Sequence, residues 1–328
     1  MAKANIQAKA LTDETAAREA MEAVLWPHGP NCPHCGSVEK LGKVEGKSAR
    51  PGLYYCGNCK KQFTVTVGTI FERSKVPLAK WWHAVHLMAS SKKGVSAHQL
   101  HRMLGVSYQT AWFMEHRIRE AMREGGLLPP LGGEGEIVEA DETYYGDLPK
   151  GAQSKTKSRG KPRSKNRQGF GNKRAILSLV ERGGEVRSFH IPAARLEHVA
   201  EIVRDNIAKE SRLHTDESKL YHKVGQEFAA HETVKHSDDE YVRYRPGYII
   251  TSNTVEGYFS IFKRGMSGVY QKCDEKHLHR YLAEFDFRYN NRIALGVDDA
   301  ERTARIIRGA AGKRLMYRRP DEGREALY

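Results

Sequence analysis

Three acidic residues, Asp141, Asp216 and Glu256, stand 75 and 40 residues apart. Asp141 closes the run Ile137-Val138-Glu139-Ala140, Asp216 closes Arg212-Leu213-His214-Thr215, and Glu256 opens a helical stretch that begins near Asn253. Where two strands and a helix bring three carboxylates together, divalent cations relieve their repulsion, and hard oxygen ligands suit magnesium or manganese. The chemistry of such a site is phosphoryl transfer. Two ions about 4 Å apart activate a water or a DNA 3′-hydroxyl on one side of a phosphate and stabilise the departing oxygen on the other. Lys263 follows Glu256 by seven residues, two turns along one helix face and within reach of a DNA phosphate, and Arg264 adds a second charge. Each carboxylate also has a local explanation. Asn253 and Glu256 have the spacing of a capping box. Asp141 shares its strand face with Glu139 and adjoins Glu142, and alternation turns Glu217 away from Asp216. The residues taken alone leave both explanations open.

Four of the five cysteines fall in Cys32-Pro-His-Cys35 and Cys56-Gly-Asn-Cys59, twenty residues apart. Two such turns present four thiolates tetrahedrally to one zinc ion, a closed shell that serves structure and leaves no position for substrate. His34, inside the first turn, is read as a turn residue, because four sulfurs already complete the shell. The spacing points to metal ligation in a reducing compartment, not to a disulfide framework. Lys40, Lys43, Lys47, Arg50, Lys60 and Lys61 surround this module as a basic platform. Cys273 stands apart from it.

The elements that must carry these groups follow from the pattern. The chain has 328 residues, 39% of them hydrophobic, with 54 Lys and Arg against 40 Asp and Glu, a formal charge of +14. That composition excludes wholesale disorder, and the length suggests two or three units. The apolar runs fall well short of the roughly 18 residues that cross a membrane, and the N-terminus lacks an apolar signal core, so a cytoplasmic, nucleoid-associated protein is expected. An N-terminal helix (1–30) leads into the zinc ribbon (31–73). In 74–126, Leu78, Trp81, Trp82, Val85 and Met88 have helical spacing, Ser96 caps a short helix, Gly105 turns the chain and Ser107 caps a longer helix. This is a helix-turn-helix pattern, with Gln109 and Thr110 near base edges and Arg117 and Arg119 nearer phosphate. A Gly/Pro linker precedes a mixed α/β layer over 134–292, made of strand, hairpin, helix, strand and later helices, and a basic tail covers 293–328. Between Lys150 and Arg174 lie ten Lys and Arg and no acid. Inserted between two strands, this stretch reads as a phosphate-contacting arm, with Lys155, Lys157 and Arg159 its DNA contacts.

Tyr54-Tyr55-Cys56-Gly57-Asn58-Cys59, Val138-Glu139-Ala140-Asp141-Glu142-Thr143-Tyr144, His214-Thr215-Asp216-Glu217-Ser218, Asn253 through Gly265 and Lys276-His277-Leu278-His279-Arg280-Tyr281-Leu282 resemble a bacterial insertion-sequence transposase of the zinc-ribbon DDE type, in the ISXO-like group. The likeness runs from about Trp26 to Arg292. It implies an α+β multidomain protein with a zinc ribbon and helix-turn-helix, then an α/β RNase H-like catalytic domain whose first strand carries Asp141, whose fourth carries Asp216 and whose late helix carries Glu256 with Lys263. It further implies two divalent Mg or Mn ions held by Asp141, Asp216 and Glu256, one structural Zn on Cys32, Cys35, Cys56 and Cys59, double-stranded DNA (element ends and target) as partner, and a homo-oligomer on that DNA. Some relatives use Asn at the third position, and Asn253 stands three residues before Glu256. An anionic oxygen binds magnesium better than an amide does, which favours Glu256. The same scaffold with a silent acidic site would be a DNA-binding regulator, and one that cuts without joining would be a structure-directed nuclease.

Overall fold

The computed structural model describes residues 9–126, 128–147 and 173–316. Lys155, Lys157 and Arg159 of the basic insertion lie outside the described residues. The chain divides into two units, Met1–Glu124 with Asn291–Tyr328, and Gly125–Asn290.

In the first unit, α1 (Glu14–Leu25) starts where the Asp13 carboxylate accepts the Ala16 amide, and it buries Ala17, Ala20 and Met21. A three-stranded antiparallel ribbon follows: β1 (Leu41–Lys43), β2 (Tyr54–Cys56) and β3 (Gln62–Phe63). The β-prone run from Phe63 to Val67 is strand only at Phe63. Beyond it the chain turns, with the Val67 amide donating to the Thr64 carbonyl. Trp26, Tyr54 and Phe63 form a small aromatic cluster, with Trp26 edge-on to both rings. Helix α2 (Leu78–Ser90) buries Trp81, Trp82, Val85 and Met88. Pro77 precedes it and offers no side-chain acceptor, so Glu14 of α1 takes the Leu78 and Ala79 amides at 2.9 and 3.0 Å. Helices α3 (Ala97–Leu104) and α4 (Tyr108–Met122) are capped by Ser96 and Ser107, and Gly105 between them is left-handed at φ 59°. The region expected as a basic tail carries a helix, Asp299–Arg308, packed on α1, α2 and α4. Its Ile306 and Ile307 are buried, which draws it into this unit.

The second unit is built on one five-stranded sheet. Its strands are β4 (Ile137–Asp147), β5 (Lys173–Glu181), β6 (Val186–Ile191), β7 (Arg212–Thr215) and β8 (Ala230–Thr233), in the order β6-β5-β4-β7-β8. The β4-β5 and β5-β6 pairs are antiparallel; β4-β7 and β7-β8 are parallel. Alternation divides the side chains between two cores. Val138, Ala140, Leu177, Leu179 and Leu213 pack with Val199, Ala200 and Val203 of α5 (Leu196–Asn206) and with Tyr221. Ile176, Val180 and Val186 pack with α7 (Asn253–Gly265) and α8 (Glu275–Asn290). A short α6 (His222–Gly225) and a small hairpin, β9 (Arg243–Arg245) with β10 (Tyr248–Ile250), lie between the sheet and α7 in sequence. This mixed α/β arrangement is consistent with an RNase H-like fold.

Candidate active site and metal centre

The sheet register relates Asp141 to Asp216. Strands β4 and β7 run parallel with Ile137, Val138 and Glu139 opposite Arg212, Leu213 and His214. The ladder ends there, but its 75-residue offset is the spacing of Asp141 and Asp216, the latter one residue past β7, and the Asp216 charge acts on Asp141. Glu139, Asp141, His214 and Asp216 alternate onto the face covered by α7, because Val138, Ala140 and Leu213 occupy the other.

Glu139 links this face to the third carboxylate. It is fully buried, and its oxygens accept the amides of Thr254 (2.8 Å) and Val255 (3.1 Å), the Thr254 hydroxyl (2.8 Å) and the Arg182 guanidinium (2.7 Å). A strand carboxylate therefore caps α7 at its positive end. The alternative explanation of Glu256, a capping box with Asn253, does not hold: the helix starts after Ser252, Asn253 is its exposed first residue, and Glu256 is the fourth. Glu256, relieved of capping, is half-exposed and accepts the Ser252 hydroxyl at 2.9 Å, with His236 Nε2 at 3.3 Å. Glu139 is the site residue that sequence reading undervalued. Its only signal was the shared face with Asp141.

The carboxylates feel one another. The Asp141 carboxyl is pushed up to about 8, first by burial and then by the charges of Glu142, Asp216 and Glu256, against the lowering effect of the Glu142 amide on its Oδ1 (2.7 Å). Glu142, on the opposite face, is pushed up to about 7 by burial, while the hydroxyl of fully buried Tyr221, at 2.6 Å, works the other way. Asp216 accepts the Ser218 amide at 2.9 Å, which fixes the turn after β7. Behind it His214 is buried between Arg182 and Glu232, and burial followed by the Arg182 charge lowers its pKa. Lys263 and Arg264 are exposed on α7, Arg264 folding back onto the Ser260 carbonyl.

The four cysteine sulfurs lie within 4.8 Å of one another, with Cys32–Cys59 at 3.5 Å and Cys35–Cys56 at 3.7 Å, all as free thiols. A tetrahedron of sulfurs each 2.3 Å from zinc has edges of about 3.8 Å. Two matching turns make this cluster. The Gly36 amide bonds the Cys32 carbonyl and the Lys60 amide the Cys56 carbonyl, with Gly36 and Lys60 both at positive φ. The cluster is compatible with a structural zinc site. His34 reaches the Gln62 carbonyl instead, as expected of a turn residue. Asp141, Asp216 and Glu256 do not close to that spacing; among the described residues only the cysteines do.

Of the expected DNA contacts in α4, Gln109 is exposed and Thr110 half-buried, its hydroxyl on Ser107. Arg117 and Arg119 do not face a phosphate. Arg117 donates to the carbonyls of Ile70, Glu72 and Leu315, and Arg119, fully buried, pairs with Glu115 at 3.2 Å. Their helical phase turns them inward, where their charges tie the unit together. Lys40, Lys43, Lys47, Arg50, Lys60 and Lys61 are all exposed around the ribbon.

The family models and the sequence relative agree on a class of mobile-element protein. Residues 130–290 match the ISXO2-like transposase domain and residues 12–62 the transposase zinc-ribbon domain. The chain belongs to the ISXO2-like transposase family. It is similar, at 28% identity over 286 residues, 85% of this chain and 92% of the relative, to an uncharacterized protein in transposable element ISH50 of Halobacterium salinarum. A solved structure, the simian T-cell lymphotropic virus intasome in complex with PP2A regulatory subunit B56 gamma, matches at 15% identity and a TM-score of 0.27, over 57% of this chain and 63% of that one. No described helix is long and apolar enough to cross a membrane.

Proposed function

We propose that this chain is a DNA transposase that binds the ends of an insertion sequence and catalyses phosphodiester hydrolysis followed by strand transfer. One observation supports the reading: Asp141 and Asp216 share the 75-residue offset of the β4–β7 register and follow its paired residues on the two strands, while Glu139 of the same strand docks the start of the helix bearing Glu256. The donor set fits hard divalent cations, since its oxygens are carboxylates and Asp141, pushed up first by burial and then by neighbouring negative charge, has repulsion that a cation would relieve. Asp141, Asp216 and Glu256 would together hold the divalent ions. Cations bound there would favour deprotonation of the attacking hydroxyl and neutralise the leaving oxygen.

In the first step water oxygen bonds to phosphorus, the bond from phosphorus to the element's 3′-oxygen breaks, and the element is left with a 3′-hydroxyl while the flank keeps the 5′-phosphate. In the second that 3′-hydroxyl bonds to a target phosphorus and a target 3′-oxygen departs. Both are in-line substitutions, so one site serves both and no covalent enzyme intermediate is needed. Lys263 and Arg264 steady the DNA backbone beside Glu256. The zinc-bound ribbon with its lysines, and α3–α4 as a helix-turn-helix presenting Gln109 and Thr110, recognise the element ends; Lys155, Lys157 and Arg159 add phosphate contacts. Two or more subunits pair the ends, in the cytoplasm, on the nucleoid.

The test is incubation of the protein with DNA carrying the element's inverted repeats, with magnesium or with chelator. Magnesium-dependent nicks and joined products are expected, both lost in Asp141→Ala. Nicking that survives Asp141→Ala overturns the site assignment. Cutting without joining marks a nuclease, and salt-sensitive binding without nicks marks a silent regulator.

A further inference from the structure

The β9-β10 hairpin is the part of the second unit that the proposed chemistry leaves unused. Arg245 pairs with Tyr248, Tyr244 with Ile249 and Arg243 with Ile250, across a Pro246-Gly247 turn whose glycine lies at φ 88°. Alternation gives the hairpin two faces. The inner one is docked: Ile250 is buried, the Tyr248 hydroxyl donates to Glu232 at 2.7 Å, and the Arg212 guanidinium lies 4.4 Å over the Tyr248 ring. The outer one presents Tyr244, 77% exposed, beside Ile249, 41% exposed.

Single exposed apolar residues are ordinary on protein surfaces. This one stands on a fixed backbone. Arg182 donates to the Ile249 carbonyl at 2.6 Å and to the Thr251 carbonyl at 3.3 Å, and the same guanidinium holds Glu139, the cap of α7. Two residues separate β10 from α7, so the Tyr244 strand pair and Glu256 are braced on one cation.

We infer that Tyr244 is a stacking platform for an unpaired base of the DNA strand at the reacting end. The inference rests on the proposed function for where that end lies. A tyrosine face matches the π-face of any base, and Arg245, next in the chain but on the other face of the hairpin, is exposed and adds positive charge to the same strand end. Of the acidic residues ahead of the hairpin, Glu240 is paired with Arg243 at 2.6 Å and Asp238 with Lys235 at 3.8 Å, while Asp239 is exposed. A second protein copy is the weaker occupant, because one Tyr–Ile pair supplies only a small part of the roughly 1,000 Å² that a specific protein interface needs, whereas a single base covers one ring.

The experiment uses the full chain and two inverted-repeat duplexes, one blunt and one with a three-nucleotide single-stranded overhang at the reacting end carrying 2-aminopurine. Binding is read by anisotropy and stacking by 2-aminopurine fluorescence. The wild-type chain is expected to favour the overhang and change its fluorescence. Tyr244→Ala should lose roughly 5- to 150-fold in overhang affinity, with the fluorescence change gone, while Tyr244→Phe keeps both. Blunt-duplex binding should stay within about twofold. Equal overhang binding by Tyr244→Ala, equal loss on both duplexes, or a change confined to oligomeric mass would overturn the inference. A chain that never nicks DNA yet reads the overhang through Tyr244 would refute the enzymatic reading and leave the platform standing.

Discussion

Removing the Glu139 carboxylate tests how the third acidic residue is positioned. In Glu139→Ala the Arg182 guanidinium loses its 2.7 Å partner, and the Thr254 and Val255 amides and the Thr254 hydroxyl lose their acceptor in a fully buried spot. Breaking one side of a buried ion pair costs about 3–5 kcal/mol, and the lost helix cap is part of that sum, so about 3–5 kcal/mol is expected. Glu139→Gln keeps one acceptor oxygen but turns an NH₂ group toward donors, and about 2–3 kcal/mol fits the worth of hydrogen bonds to a charged group. That is a large share of the 5–15 kcal/mol typical of a domain. Combining Glu139→Gln with Arg182→Met removes the stranded cation and should recover about 1 kcal/mol or more of the loss. Urea denaturation followed by far-ultraviolet circular dichroism gives the energies, and hydrogen exchange over 250–262 shows whether the start of α7 is what loosens. A Glu139→Ala chain within about 1 kcal/mol of wild type, or with unaltered exchange at Thr254 and Val255, would refute the capping argument.

Three further outcomes follow from the same structure. Asp141, raised from about 3.9 in an unfolded chain to about 8, contributes most to stability below the lower value and loses that contribution as pH rises through the upper. Because a cation must displace its proton, magnesium affinity should rise about tenfold per unit between pH 6 and 8; a flat profile in calorimetry at several pH values contradicts this. Arg119→Ala should cost about 3–5 kcal/mol by breaking its buried ion pair with Glu115 yet leave the salt dependence of DNA binding unchanged, whereas Lys43→Ala with Lys61→Ala should flatten that dependence with little loss of stability. Gly309→Ala would set a Cβ 2.3 Å from the Ala121 carbonyl oxygen, so a lowered melting temperature is expected, about 1–3 kcal/mol in stability; an unchanged melt would mean that the C-terminal helix does not bear on α4.

What the sequence makes legible is what neighbours in the chain decide. Ser96, Gly105 and Ser107 cap and turn through contacts three or four residues long, and they sit where the pattern puts them. The cysteine spacing likewise encodes two local turns. Where the acceptor comes from elsewhere, local reading fails. Glu14 caps a helix 64 residues on and Glu139 one 115 residues on, so Asn253 looked like a cap that it is not. Arg117 and Arg119 illustrate a second limit. Helical spacing gives a residue's phase, but the side facing the rest of the unit is set by partners such as Ile70 and Leu315, far off in the chain. The β9-β10 hairpin is three residues a strand, too short for alternation to register.

The ladder pairs Asp147 with Lys173, so the chain that leaves β4 comes back to β5 about 5 Å away. The twenty-five residues 148–172, with eight Lys and Arg and no acid, can therefore be exchanged for a two-residue Asn-Gly link without altering the offset between Asp141 and Asp216. Such a pruned chain would carry a formal charge of +6 in place of +14. On the proposed function, long-range attraction for a polyanion and bond-breaking competence would then occupy separable stretches of polypeptide, each open to tuning without the other.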